Sequence, residues 1–595
     1  MNKYSACQYI VDYLIKNKMT YVPGVIGHGI LALADALLER KDEIKFIQVK
    51  HEQSAAHFAD GYYRATGKPL ACFTSVGPGA INALVGVGTA FHDSIPLALF
   101  TANCPTYMFQ RGALQALEIN SFAEFGDMIS PISKRSYQLT NIKQLPTILE
   151  TAFRLMNAGR PGPVHIELPM DMQAETVQED LLEPEKFNIS SRMLGDIREL
   201  QKAADLIINS KRPVLLVGGG AILSDASAEL IKLAEYIGIP VVTTVQGKGV
   251  IPEDHELNGY YTGSFASLPG LNLTRKADLI IAIGCRFSER TTQSFIDGKS
   301  FTFSKTRLIQ MDIDPREIGK NYPVDVGILG DAKTCLSYLL KLIKAKVKKR
   351  DYKEELYFQD LQALKKKWQK MLKKSRESNE RPMTHSRFFS ELRSVLDRDA
   401  IVLGPAGHAQ AILFQEFDVY EPRTHISTGA WSTMGWCIPA TIGCKVGRPE
   451  KQVVGVCGDG DFLMTCQELA TAVQYKIPVV YCVLNNYGWM SIRDLQADLY
   501  GPKRAYGTTF MDFESGDVYN PDFVKMAESF GAQGIKVDDP NILGDAMKEA
   551  LKNEKPTVVE VSITNERPKS GGTYLGFADF PVPWYIEDRG KRKGS

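Results

Sequence analysis

The chain has 595 residues, 44% apolar and 23% charged, which is enough to bury several cores and excludes global disorder. Lys and Arg number 70 against 69 Asp and Glu, a formal charge of +1, so the totals carry none of the basic excess of a nucleic-acid or membrane-surface binder. No apolar run approaches the roughly 20 residues of a spanning helix, the N-terminus lacks a signal-peptide pattern, and the ten cysteines show no CxxC pair, so reduced buried thiols and a cytoplasmic location are expected.

Three blocks alternate short β-branched strands with amphipathic helices, the pattern of parallel α/β domains. The first, 1–180, holds predicted strands at Phe46–Val49, Leu70–Thr74 and Leu97–Thr101. A polar, proline-containing stretch leads to the second, 193–345, where Pro213–Val217 enters a glycine turn and Leu279–Gly284 repeats the pattern. Residues 346–381 are charge-rich, with Leu361, Leu364, Trp368 and Leu372 at helical spacing, which predicts one amphipathic helix on a domain surface and then a connector. A third α/β block spans 382–565, and a Gly/Pro/aromatic tail, 566–595, follows it. The expected fold class is therefore α/β, with three doubly wound parallel-sheet domains.

The strongest chemical signal lies in the third block. The apolar strand Val453–Val456 runs into Gly458-Asp459-Gly460-Asp461, a helix predicted from about Phe462 to Tyr475, and a second strand ending in Asn485-Asn486-Tyr487-Gly488. Such a βαβ unit places Asp459 and Asn486 at strand carboxyl ends, where open α/β sheets bind ligands. A carboxylate, an amide oxygen and nearby carbonyls are hard donors suited to Mg²⁺, while Gly458 and Gly460 allow close approach of a phosphate beside Asp461. A lone GDG is usually just a turn; the paired asparagines at the end of the next strand turn the reading towards a metal-bridged diphosphate.

The GDG-to-NN arrangement resembles the thiamine-diphosphate-dependent enzymes, and the whole chain resembles their acetolactate-synthase-like branch. The resemblance implies metal ligation by Asp459, Asn486 and the Gly488 carbonyl. It implies that Glu52, which by itself would read as a helix-dipole partner, contacts the thiamine pyrimidine and activates the cofactor. Gly404-Pro405-Ala406-Gly407-His408 looks like the diphosphate cradle, and Gly429 to Gly435 like the segment in which Met434 wedges the cofactor and the Ser432 carbonyl meets its amino group. Ser75 to Asn82 resembles the family's SGPGATN turn, and Gln115 follows at family spacing as a further catalytic candidate. Ala282 to Phe287 and Asp312 to Asn321 look like regions that border a non-redox FAD in acetolactate synthases, with Arg286 near the acceptor site; a Rossmann-like structural turn is the alternative.

Two departures bear on the reaction: Leu495 stands where acetolactate synthases carry a tryptophan, and Gln246 where they carry a methionine. In addition, Val25-Ile26-Gly27-His28-Gly29 resembles a turn of the thiamine-dependent cyclic 1,2-dione hydrolases, including the inositol-catabolic one, which would make His28 an acid/base; a core or capping histidine is the alternative. The expectation is a lyase or carboligase acting on a 2-oxo acid such as pyruvate, with a cyclic-dione C–C hydrolase as the alternative and a degenerate regulatory subunit as a third possibility. The resemblance further implies a homodimer or homotetramer with active sites between subunits, a small-molecule substrate, and neither nucleic acid nor membrane as partner.

Overall fold

The computed structural model describes residues 4–188, 191–429, 431–569 and 583–584. Most of the tail anticipated from 566 onward, and Ala430 in the Met434 segment, lie outside the described residues.

Three six-stranded, all-parallel sheets form the frame. In space, the first runs 45–48, 21–24, 71–74, 98–103, 164–169, 135–138, and the third runs 425–426, 401–403, 453–458, 480–485, 557–562, 533–537. Counted within each sheet, both have the order 2-1-3-4-6-5. The middle sheet runs 258–261, 241–243, 213–217, 279–283, 307–312, 326–329, the 3-2-1-4-5-6 order of dinucleotide-binding folds. Most inner strands, such as Pro213–Val217, Leu279–Ile283 and Val453–Gly458, are near-continuous buried apolar runs because helices cover both faces of a parallel sheet, whereas the edge strands Lys45–Gln48, Arg135–Gln138 and Gln533–Val537 carry polar, partly exposed residues.

The first and third domains share one continuous apolar core, joined where helix Glu52–Thr66 packs on helix Cys437–Gly447. Glycines set the closeness of that contact: a Cβ on Gly61 would sit 2.2 Å from the Ala440 carbonyl oxygen, and one on Gly443 2.1 Å from that of Phe58. The middle domain has its own core. Helix Leu356–Arg376 lies against the middle domain, with Leu361 buried among Phe287 and Phe301, and Trp368 and Leu372 against Tyr260 and Leu268.

The single helix expected after the GDGD segment is broken. A four-residue helix, Asp459–Phe462, is followed by a 3₁₀ turn, Cys466–Glu468, and helix Leu469–Gln474. Gly435 causes the break: its N–H donates to Asp461 Oδ1 (2.8 Å) and its carbonyl accepts from Thr465 Oγ1 (2.9 Å), pinning both sides of the turn to another segment. Here tertiary hydrogen bonds outweigh helical periodicity.

Candidate active site

The first half-site gathers on one turn. Glu52 opens its helix behind His51, whose ring accepts from the Gln53 N–H (3.2 Å), so the side chain leaves the carboxyl end of strand Lys45–Gln48 at the helix N-terminus. Its Oε2 accepts from Asn82 Nδ2 at 2.9 Å, and a Cβ on Gly79 would lie 3.1 Å from its Oε1. The 75–79 turn also meets the other two candidates from this domain. A Cβ on Gly27 would come within 2.3 Å of Ser75 Oγ, which brings the exposed His28 alongside, and one on Gly77 within 2.1 Å of the Gln115 carbonyl oxygen. Gly27 is in extended backbone, and what the glycines on either side of His28 permit is close contact with Ser75, Val76 and Ala102.

The second half-site lies at the ends of two adjacent strands, paired as Gly458 with Leu484. Asp459 is almost fully buried. Its Oδ1 accepts from the Gly460 N–H (2.8 Å), and its Oδ2 from the Gly488 N–H (3.0 Å) and Asn520 Nδ2 (2.7 Å). Burial raises this carboxyl above its ordinary value although Asn520, Gly460 and Gly488 pull it down; a neighbouring cation would favour the ionised form. Asn520 bridges onward to Asn485 Oδ1 (2.8 Å), and Asn485 to Glu560 (3.0 Å). Asn486 is partly exposed beside them, and Gly488 holds a φ of 152°, a conformation open to glycine. Asp461 keeps Oδ2 buried without a partner, and burial pushes the carboxyl up to about 7.

Around this centre, helix Gly407–Glu416 begins at an exposed Gly407 with φ 76°. His408 follows, with Nε2 3.7 Å from Asp494; burial lowers its pKa. Ser432 takes a left-handed φ of 48° and bonds through Oγ to Gln410 and Arg290 (3.3 Å each). Met434 is half-buried beside Gly435. The donor set is all oxygen, and the turn at Gly458 is open, with no atom within 4 Å of where a Cβ would stand. Both features fit a magnesium-bridged diphosphate. Among the described residues Glu52 and Asp459 share no hydrogen-bond partner. Asn520, which grips Asp459 from 61 positions downstream, carried no local signal in the sequence.

At the carboxyl ends of the middle sheet a cleft of about 850 Å³ is lined by Gly218, Gly220, Gly284, Arg286 and Asp312, and closed from the other two domains by Asp93 and Gly429. Gln246 crosses it: Nε2 donates to Asp93 Oδ2 and the Ser427 carbonyl, both at 3.0 Å, so this residue ties three domains together.

Family models match the chain in three places: the N-terminal TPP binding domain of thiamine pyrophosphate enzymes over residues 5–122, their central domain over 200–339, and their C-terminal TPP binding domain over 405–561. The chain belongs to the thiamine pyrophosphate enzymes and is an acetolactate synthase-like member of them. It is 36% identical over 579 residues to a probable acetolactate synthase large subunit of Methanococcus aeolicus, covering 94% of this chain and 92% of that one. It is 34% identical to the acetolactate synthase large subunit of Corynebacterium glutamicum (93% and 85% covered) and 31% identical to the isozyme 3 large subunit of Escherichia coli (95% of each). No helix among the described residues is long and apolar enough to cross a membrane.

Proposed function

We propose that the chain is a carboligase that takes pyruvate, or a close 2-oxo acid, as donor and uses thiamine diphosphate with Mg²⁺. The observation that carries this reading is the pair of intact half-sites, Glu52 on its turn and Asp459 at its strand ends, in a chain similar over nearly its full length to acetolactate synthase large subunits. Asp459, Asn486 and the Gly488 carbonyl would hold the metal. Gly407, His408, Gly458, Gly460 and Asp461 would surround the diphosphate, while Met434 and the Ser432 carbonyl would orient the rings. When bound, thiamine diphosphate supplies carbanion chemistry next to a carbonyl. The protein's part is then to hold a proton on Glu52 against the ring nitrogen, to position the 2-oxo substrate near Gln115 and His28, and to exclude water.

Exposed apolar side chains flank both half-sites, Leu114, Ile119 and Phe122 near the first, Met464, Trp489 and Ile492 near the second. Such rims suit burial between subunits, which supports a homodimer or homotetramer with Glu52 and Asp459 of different subunits facing one cofactor. The size of the middle cleft and the 3-2-1-4-5-6 strand order support FAD there. The cysteine usage of the sequence supports a cytoplasmic enzyme.

Cyclic-dione hydrolysis would need His28 as a proton shuttle, whereas decarboxylation of pyruvate does not. CO₂ release from pyruvate and loss of cyclohexane-1,2-dione, followed side by side in wild type and His28→Ala, separate the two reactions. Wild type is expected to release CO₂ and ignore the dione, with little change in the variant. Turnover of the dione alone, abolished in His28→Ala, would replace the carboligase reading with the hydrolase.

A further inference from the structure

The segment that would present Met434 and the Ser432 carbonyl to the cofactor is bent out of ordinary backbone. Gly429, Ser432 and Gly435 all hold left-handed φ values, 53°, 48° and 74°. Ser432 carries a Cβ, so this conformation is unfavourable by itself and persists only where surrounding bonds over-determine it. Those bonds come from all three domains. Within the third, Gln410 Nε2 donates to Ser427 Oγ (2.6 Å), Ser432 Oγ donates to Gln410 Oε1 (3.3 Å), and Thr428 Oγ1 donates to the Pro405 carbonyl (2.6 Å).

The first domain grips both ends of the segment with one buried ion pair. Arg64, on helix Glu52–Thr66, forks onto Asp60 (2.6 and 3.2 Å) and donates through Nη1 to the Ser427 carbonyl (2.7 Å). Asp60 in turn accepts from Trp436 Nε1 (2.9 Å) at the far end. The middle domain adds Gln246, in the turn Val245–Gly247. Its Nε2 duplicates two of the contacts of Arg64: the Ser427 carbonyl, and Asp93 Oδ2, which Arg64 Nη2 holds at 2.9 Å. An amide NH₂ has two hydrogens, one for each of these acceptors. The fit is close, since a Cβ on Gly429 would lie 2.4 Å from both Gln246 Nε2 and Asp93 Oδ1. Arg290 of the same domain reaches the segment only at 3.3 Å, at the Gly429 carbonyl and Ser432 Oγ. A methionine at position 246 could make neither bond, so this tie depends on the residue that stands here in place of one.

We propose that Gln246 is a positioning residue for thiamine activation: by sharing Asp93 and the Ser427 carbonyl with Arg64, it fixes the start of the 427–435 turn, and with it the angle at which Met434 and the Ser432 carbonyl meet the cofactor. The role of Met434 and Ser432 rests on the function proposed above; the hydrogen bonds of Gln246 do not.

The test is exchange of the cofactor's C2 proton in the holoenzyme with thiamine diphosphate and Mg²⁺, read by acid quench and proton NMR. Gln246→Met fills a similar volume without a donor. It is expected to leave the affinity for thiamine diphosphate close to that of wild type, because the Asp459 end of the site is untouched. Exchange should slow about tenfold, the effect of losing two modest hydrogen bonds. With pyruvate, kcat should fall and KM should stay nearly constant. Gln246→Lys returns a donor to the same two oxygens and should recover most of the exchange rate. Gln246→Glu, which keeps the shape and loses both donors, carries the same expectation as the methionine variant should that one fail to fold. A tie that serves only to hold the domains together would lower the melting temperature of Gln246→Met and leave C2 exchange at the wild-type rate; that result, or slowed exchange that lysine does not recover, would overturn the proposal. Met434→Ala sets the reference and should slow exchange at least as much. Wild-type exchange in Met434→Ala would withdraw the placement of the cofactor and the role of Gln246 with it, whereas slow exchange there beside wild-type exchange in Gln246→Met would overturn the role of Gln246 alone. Because exchange needs no substrate, failure of the pyruvate reading would be seen separately, as a wild-type enzyme that exchanges the C2 proton and releases no CO₂.

Discussion

Asp459→Ala is expected to weaken the binding of thiamine diphosphate with Mg²⁺ by about a hundredfold or more, because a direct ligand is lost where even outer partners of a metal site are worth roughly 10–100-fold. The carboxylate does two jobs. It would neutralise and ligate the metal, and it is the common acceptor for the Gly488 N–H and the Asn520 amide. Its removal leaves the Gly460 and Gly488 N–H groups and the Asn520 amide without this acceptor, so the turn that presents Asn486 and the Gly488 carbonyl loosens as well. Calorimetric titration of the purified variant measures this directly, and wild-type affinity would remove Asp459 from the metal site.

Glu52→Gln is expected to separate binding from chemistry. The amide keeps the shape, and its carbonyl oxygen can still accept from Asn82, so the turn formed by Gly79 and Asn82 should stand. It cannot hold or give up the proton at the ring nitrogen. Cofactor affinity should stay near that of wild type, while exchange of the C2 proton of the bound cofactor slows by about 10²–10⁴, the usual contribution of a positioned acid/base group. Exchange at the wild-type rate would assign the activation to another residue.

Much of this was legible from the residues alone. Parallel sheets announce themselves as apolar strands separated by amphipathic helices, and the GDG and NN segments, fixed at the ends of neighbouring strands, can meet with little freedom. What was hidden depends on contacts between distant segments. The helix after Asp461 is broken by Gly435, which approaches through another part of the domain and offers stronger partners than the helical ladder. Asn520 reads as a loop residue until the fold carries it onto Asp459. Gln246 reads as a pocket substitution, yet its amide is committed to Asp93 and Ser427. The different order of the middle sheet is equally invisible locally, since crossover connections of similar length serve both orders.

The proposed chemistry depends on one cofactor being gripped by Glu52 of one subunit and Asp459 of another, and a hybrid assembly tests that arrangement most directly. Glu52→Gln and Asp459→Ala chains, each inactive alone, can be co-expressed with different affinity tags and the mixed dimer purified through both. If each site draws on two subunits, one of the two sites in the hybrid is wild type and the other carries both changes, so CO₂ release from pyruvate should return to about half the wild-type rate. A correctly assembled hybrid as inactive as its two parents would contradict it.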